Sequence, residues 1–89
     1  MNLTTLDLDT LRTLVTANDL GGYGQAGLRL GRTPSAISLQ MKRLQTDMGV
    51  PLFRKRGRGL ALTEAGESVL RYARRMLELN DELVDTVRG

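Results

Sequence analysis

The side chains best equipped for chemistry in this sequence are its cations, and most of them crowd into one third of it. Between residues 29 and 58, Arg29, Arg32, Lys42, Arg43, Arg54, Lys55, Arg56 and Arg58 face only Asp47, a segment charge of +7. Residues 1–28 and 59–89 each sum to −2, so the overall +3 hides a strong asymmetry. Clustered cations of this kind form a surface for a polyanion, whereas a face kept basic for solubility has no reason to collect eight of a segment's nine charges. Phe53 is the only aromatic residue in the segment, too few for stacking on unpaired bases, so duplex DNA is the better partner than a single strand.

Other chemistry is excluded by inventory. The chain has no His and no Cys, which removes zinc sites, disulfide frameworks and His-based triads. Ser38 therefore has no imidazole to activate it, and no Gly-rich loop ends in Gly-Lys-Ser/Thr. The expectation is a protein that is not an enzyme and needs no metal or cofactor. The acidic group Asp81, Glu82 and Asp85 reads as a solvated helix face. At 89 residues and 9.8 kDa there is room for one modest core. That core must come from Leu, Val, Ile, Met and Ala, since the chain holds one Phe, two Tyr and no Trp, which favours helices over a β-sandwich. Apolar runs are only two or three residues long, and Met1 to Asp9 lack the basic-then-apolar pattern of a signal peptide, so a cytoplasmic protein is expected.

The elements that must carry the cations follow from periodicity. Leu8, Leu11, Leu14 and Val15 recur at three and four, predicting a helix over Asp7–Asn18 with Asp7 as its cap. A short second helix, Tyr23–Leu30, places Tyr23, Ala26 and Leu30 on one side and stops at Gly31, although Gly24 and Gly27 weaken it by about 1 kcal/mol each. The third helix, 34–48, is capped by Thr33, starts at Pro34, carries the stripe Ile37, Met41, Leu44 and Met48, and ends at Gly49. Leu52-Phe53 and Leu60-Ala61-Leu62 read as two short strands joined by the basic stretch 54–59. Thr63 then caps a last helix to about Val87, whose apolar positions exceed what a lone helix leaves in water. Its length, about 35 Å at 1.5 Å per residue, outruns so small a domain, and a second copy of the same helix is the simplest cover.

The predicted architecture is mainly α: a winged helix-turn-helix with a three-helix core and a two-stranded β wing (residues 1–62), followed by a long linker and dimerisation helix (63–89). Gly27, Gly31 and Ile37 fit the helix-turn-helix, supplying a small residue at the helix crossing, a turn glycine and an apolar side chain reaching between the helices.

Four motifs in register carry a resemblance over nearly the whole chain. They are Leu8-x-x-Leu11-Arg12-x-Leu14-Val15, Ser35-Ala36-Ile37-Ser38-x-Gln40-Met41-x-x-Leu44, Gly49-x-x-Leu52-Phe53 and Leu62-Thr63-x-Ala65-Gly66. In these the sequence resembles the N-terminal DNA-binding domain of LysR-type transcriptional regulators of bacteria. The resemblance implies a homodimer that reads operator DNA, with the last helix as dimer interface and a larger effector-binding domain following. The chain ends at Gly89, where such a domain would begin, so part of a longer regulator is expected, with any small-molecule effector acting through that missing domain. Two departures stand out. Gly21-Gly22-Tyr23-Gly24 stands where the family usually has Gly-Ser-Phe-Thr, and Lys55 stands where Arg is common.

The expected division of labour follows. The third helix enters the major groove N-terminal end first, with Pro34, Ser35, Ser38, Leu39 and Gln40 at base edges: Gln40 bidentate to adenine, Leu39 or Pro34 against a thymine methyl. Thr33, Lys42 and Arg43 contact phosphates, and Lys55, Arg56 and Arg58 on the wing reach backbone or minor groove, with Arg54 pointing away. The dimer interface is assigned to Val69, Leu70, Ala73, Met76, Leu77, Asn80, Leu83, Val84 and Val87. Asn80 either fixes the register of the paired helices or lies at the seam's wet edge. Such a reader would work in the cytoplasm on the nucleoid. The rival function is a winged-helix protein-interaction module that uses the apolar helix 63–87, and its binding would resist salt where DNA binding would not.

Overall fold

In a computed structural model that describes residues 3–57 and 59–89, the chain runs α1 (Leu8–Leu20), α2 (Tyr23–Leu30), α3 (Pro34–Met48), β1 (Phe53–Arg56), β2 (Gly59–Leu62) and α4 (Glu64–Arg88). Each main helix start is capped by the residue its type suggests. Asp7, Thr33 and Thr63 accept from the backbone N–H groups of Asp9, Ala36 and Gly66 respectively, filling orphan donors of the first turn. Gly21, Gly31 and Gly49 close the first three helices in the left-handed conformation. Helix α1 runs two residues past the expected Asn18, because Asn18 and Asp19 are tolerated on its exposed side and only Gly21 turns the chain.

One core joins all four helices. Leu11, Leu14 and Ala17 of α1, Ala26 of α2, Ile37, Met41 and Leu44 of α3, Leu52 and, from α4, Leu70 and Ala73 form a single buried cluster. The expected boundary at residue 63 is therefore not a division between cores. The stretch of α4 from Leu70 to Asp81 lies along α1, and two ion pairs clasp the helices antiparallel: Arg12 to Asp81 (2.8 Å), and Arg74 to Asp19. In each case the Arg partner, hydrogen-bonded to the carboxylate, holds the Asp below the usual carboxylate range.

Two glycines are required by close approach. A Cβ on Gly27 would collide with the carbonyl oxygen of Arg32, and one on Gly66 with the carbonyl oxygen of Leu52. The first contact packs the turn after α2 against α2 itself. The second seats α4 against the segment leading into the wing. There Thr63 N–H donates to Leu52 O (3.0 Å) and the Thr63 hydroxyl donates to Pro51 O (2.7 Å). Gln45 Oε1 accepts from Leu52 N–H (2.8 Å) and Phe53 N–H (3.2 Å), which ties α3 to the base of the wing. Tyr23 meets Phe53 edge to face at 6.3 Å from the other side.

Candidate nucleic-acid interface

Helix α3 divides cleanly into two faces. Ile37, Met41 and Leu44 are buried in the core, while Pro34, Ser35, Leu39, Lys42 and Arg43 are exposed and Ser38 is half-buried. The exposed residues of its first turns are small or short, so the helix backbone can come close to a surface that enters from that side. Thr33 spends one hydroxyl lone pair on Ala36 N–H (3.1 Å), leaving the hydroxyl proton available to a further acceptor. The cations remain uncommitted. Among the described residues of the basic segment, only Arg32 enters an ion pair, so Arg29, Lys42, Arg43, Arg54, Lys55 and Arg56 stand without a carboxylate partner.

The wing is a two-stranded antiparallel ribbon with Phe53 opposite Leu62, Arg54 opposite Ala61, Lys55 opposite Leu60 and Arg56 opposite Gly59. Arg54, Lys55 and Arg56 thus lie in the strand, not in the turn where they were expected. Strand alternation puts Arg54 with Arg56 on one face and Lys55 with Phe53 on the other. Arg54 therefore shares the side of Arg56 and does not point away from it, and Lys55 does not share that side. Arg58, expected at the wing tip, lies outside the described residues.

Gln40 departs from expectation. Its amide is engaged at both ends within the protein: Oε1 accepts from Arg32 (3.1 Å), and Nε2 donates to Thr10 Oγ1 (3.1 Å) and to Asp9 Oδ2 (3.3 Å). Arg32 also donates to Asp9 Oδ2 (2.7 Å) and to the buried Thr13 hydroxyl (3.2 Å). The Arg32 hydrogen bond, against a smaller cost of burial, holds the Asp9 carboxyl below its ordinary range. The sequence shows no local sign of this cluster, because its members come from α1, the turn before α3 and α3 itself.

Helix α4 corrects the interface assignment. Leu70, Ala73 and Leu77 are buried within the chain, 9%, 1% and 6% exposed, and Val69 packs against the core, so these four belong mainly to the monomer. Helical geometry explains it: positions 70, 73 and 77 form one stripe against α1, and positions 72, 76, 79, 83 and 87 form another about 100° around the helix. On that second stripe Tyr72, Met76, Leu79, Leu83 and Val87 are all exposed. Tyr72 and Leu79 were not among the expected interface residues. The Tyr72 ring carries the Arg75 guanidinium 5.5 Å from its centroid. Val84 and Asn80 are half-buried, and Asn80 donates to the Asp81 carboxylate (3.1 Å) that Arg12 holds. Beside the stripe runs an apolar groove lined by Leu6, Leu11, Met48, Val69, Tyr72 and Met76. Among the described residues, no helix is long and apolar enough to cross a membrane.

Four helices around one core, a helix-turn-helix pinned at Gly27 and a basic ribbon behind it define the winged helix-turn-helix class. Residues 8–67 match the model of the bacterial regulatory helix-turn-helix protein, lysR family, and the chain belongs to that family. It is 42% identical over 84 residues to the HTH-type transcriptional regulator DgdR of Burkholderia cepacia, covering 94% of this chain and 29% of that protein. It is 48% identical over 77 residues to the HTH-type transcriptional regulator PecT of Dickeya dadantii, covering 86% of this chain and 24% of that protein. The chain thus spans under a third of the length of these two relatives. Among solved structures, the crystal structure of a CbnR_DBD–DNA complex superposes with a TM-score of 0.85 at 34% identity, covering 93% of this chain and 95% of that one. CbnR itself, a LysR family transcriptional regulator, superposes at 0.86 and 34% identity, with 93% of this chain and 29% of CbnR covered.

Proposed function

We propose that this chain is the operator-reading part of a bacterial transcriptional regulator and binds duplex DNA as a homodimer, sequence-specifically. The observation that carries the reading is the arrangement of α3. Its inner face is locked into the core, and its outer face carries uncharged side chains (Pro34, Ser35, Ser38 and Leu39) flanked by cations without carboxylate partners among the described residues. Pro34, Ser35, Ser38 and Leu39 meet base edges in the major groove. Thr33, Lys42 and Arg43 hold phosphates, while Arg56 with Arg54, and Lys55 from the other face of the ribbon, engage the backbone or minor groove beside it. Similarity to a protein solved in complex with DNA supports this reading over a protein-interaction module.

Dimerisation uses the outer stripe of α4: Tyr72, Met76, Leu79, Leu83 and Val87, while the half-buried Val84 continues the inner stripe of Leu70 and Leu77. One recognition helix reads few base pairs, and two copies double both the contacts and the sequence read. The protein acts in the cytoplasm, on the nucleoid. Any effector sensing would fall to a domain outside this chain, a reading supported by the greater length of the two relatives. Selection from random duplexes at near-physiological salt tests the whole reading. Two related half-sites with two-fold symmetry are expected, and a pool that does not enrich overturns it.

A further inference from the structure

Arg32 stands in the basic segment, yet alone among the segment's described cations its side chain is paired with a carboxylate. Its backbone is pinned first: Arg32 N–H donates to Gly27 O (2.9 Å), and its carbonyl lies where Gly27 has no Cβ. The guanidinium then spans three acceptors on two helices: Asp9 Oδ2 and Thr13 Oγ1 of α1, and Gln40 Oε1 of α3. Gln40 returns two bonds to α1, at Thr10 and Asp9. The Thr13 side, 1% exposed, is satisfied in full, since its hydroxyl also donates to Asp9 O (3.1 Å). The result is a closed polar clasp that joins α1, the turn and the second turn of α3.

We propose that Arg32, with Asp9 and Gln40, is a positioning unit that fixes the angle and depth at which α3 is presented to DNA, and that Arg32 and Gln40 touch neither phosphate nor base. This deepens the DNA-reading proposal and rests on it. Apolar contacts at Ile37, Met41 and Leu44 hold α3 against the core but are non-directional, so they permit small rotations and slides of the helix. Directed hydrogen bonds from a planar guanidinium remove that freedom. The clasp sits two residues from Ser38 and one from Leu39, so a shift there passes directly to the base-facing side chains. A Lys at position 32 keeps the charge but offers a single compact donor group that cannot span the three acceptors.

The test compares wild type, Arg32→Met, Arg32→Lys, Gln40→Ala and the double variant Arg32→Met with Gln40→Ala. Binding to the selected operator and to a scrambled duplex is measured over a salt series, and amide NMR spectra are recorded without DNA. Positioning predicts that Arg32→Met lowers the preference for operator over scrambled duplex by about tenfold, comparable to a mismatched base pair, with the salt slope unchanged. Arg32→Lys does not restore the preference, and the double variant loses no more than the larger single, because both act through one clasp. Without DNA, amide shifts move at residues 10–13 and 33–41 and stay put in the wing. A slope lower by about one per half-site, with preference intact and restored by Lys, makes Arg32 a phosphate contact and overturns the proposal. Altered preference confined to one base pair in Gln40→Ala overturns it as well. If wild type itself shows no operator preference, the DNA-reading proposal fails, and the DNA-free spectra alone decide the clasp: unmoved α3 amides in Arg32→Met and Arg32→Lys refute it.

Discussion

At the scale of single residues, the sequence exposes what a side chain can do locally and conceals what it does across helices. Asp7, Thr33 and Thr63 are legible as caps because a cap acts within three residues of itself. Gln40 is not legible, since its partners on α1 lie 30 and 31 positions away, and a lone Gln on a basic helix has the chemistry of an adenine reader. The side of Arg54 is hidden for a related reason: the turn of the ribbon begins three residues later than the basic run suggests, at Gly57, and alternation then sets that side. Two expectations follow for these residues. Arg56→Ala should weaken binding to all sequences alike and lower the salt slope by about one per half-site, whereas Leu39→Ala should relax preference at one position by about 1 to 3 kcal/mol. Titration of competition with scrambled duplex separates them. Acid should loosen the carboxylate pairs. Because Asp9 and Asp19 are held below their ordinary range by Arg32 and Arg74, their stabilisation is present above about pH 4 and fades as pH falls through the lowered values. Both pairs are a third to a half exposed and so screened by solvent, each contributing under about 1 kcal/mol, and thermal stability should be flat between about pH 5 and 8 as far as these groups are concerned. A melting series in which Asp9→Asn and Asp19→Asn together remove part of the acid-side slope checks this.

At the scale of elements, α2 shows where propensity and packing part ways. Both Gly24 and Gly27 look like weaknesses in an eight-residue helix, yet they sit in opposite surroundings. Gly24 is exposed and a Cβ there would meet nothing within 4 Å, while a Cβ on Gly27 would strike the Arg32 carbonyl. Gly24→Ala should therefore stabilise the domain by about 0.5 to 1 kcal/mol, through helix propensity and a less free unfolded chain. Gly27→Ala should lose more than that gain, by about 1 to 3 kcal/mol, because the obstacle is backbone that moves only if the helix-turn-helix opens. Denaturant midpoints of the two variants should move in opposite directions from wild type. Elements marked by apolar period, caps and stops were legible in the sequence almost to the residue. The locks between them, Gln45 to the wing and Gly66 to Leu52, were not, since each depends on which backbone arrives opposite.

For the whole molecule, the question is which α4 side chains hold the monomer and which hold a partner. Heptad spacing alone groups Leu70, Leu77 and Val84 with Met76 and Leu83, because a partner helix and the chain's own α1 both ask for apolar residues. The ion pairs Arg12–Asp81 and Arg74–Asp19 break the tie, since they fix which side of α4 lies on α1. A substitution on each side should then give different failures. Leu77→Ala removes a buried side chain and should destabilise the fold itself by about 2 to 5 kcal/mol, seen as a lower melting temperature at any protein concentration. Leu83, 61% exposed, has no such role in the monomer. Leu83→Glu should leave helicity unchanged, yet place a charge in each copy of a stripe meant to meet itself, so that sedimentation gives the mass of one chain. Operator binding should fall at least about tenfold, because the second half-site no longer arrives tethered to the first, while binding to a scrambled duplex falls less. If Leu83→Glu remains dimeric, the outer stripe of α4 is not the interface. The part of the apolar groove that lies off this stripe, at Leu6, Met48 and Val69, then becomes the surface to test for the partner copy.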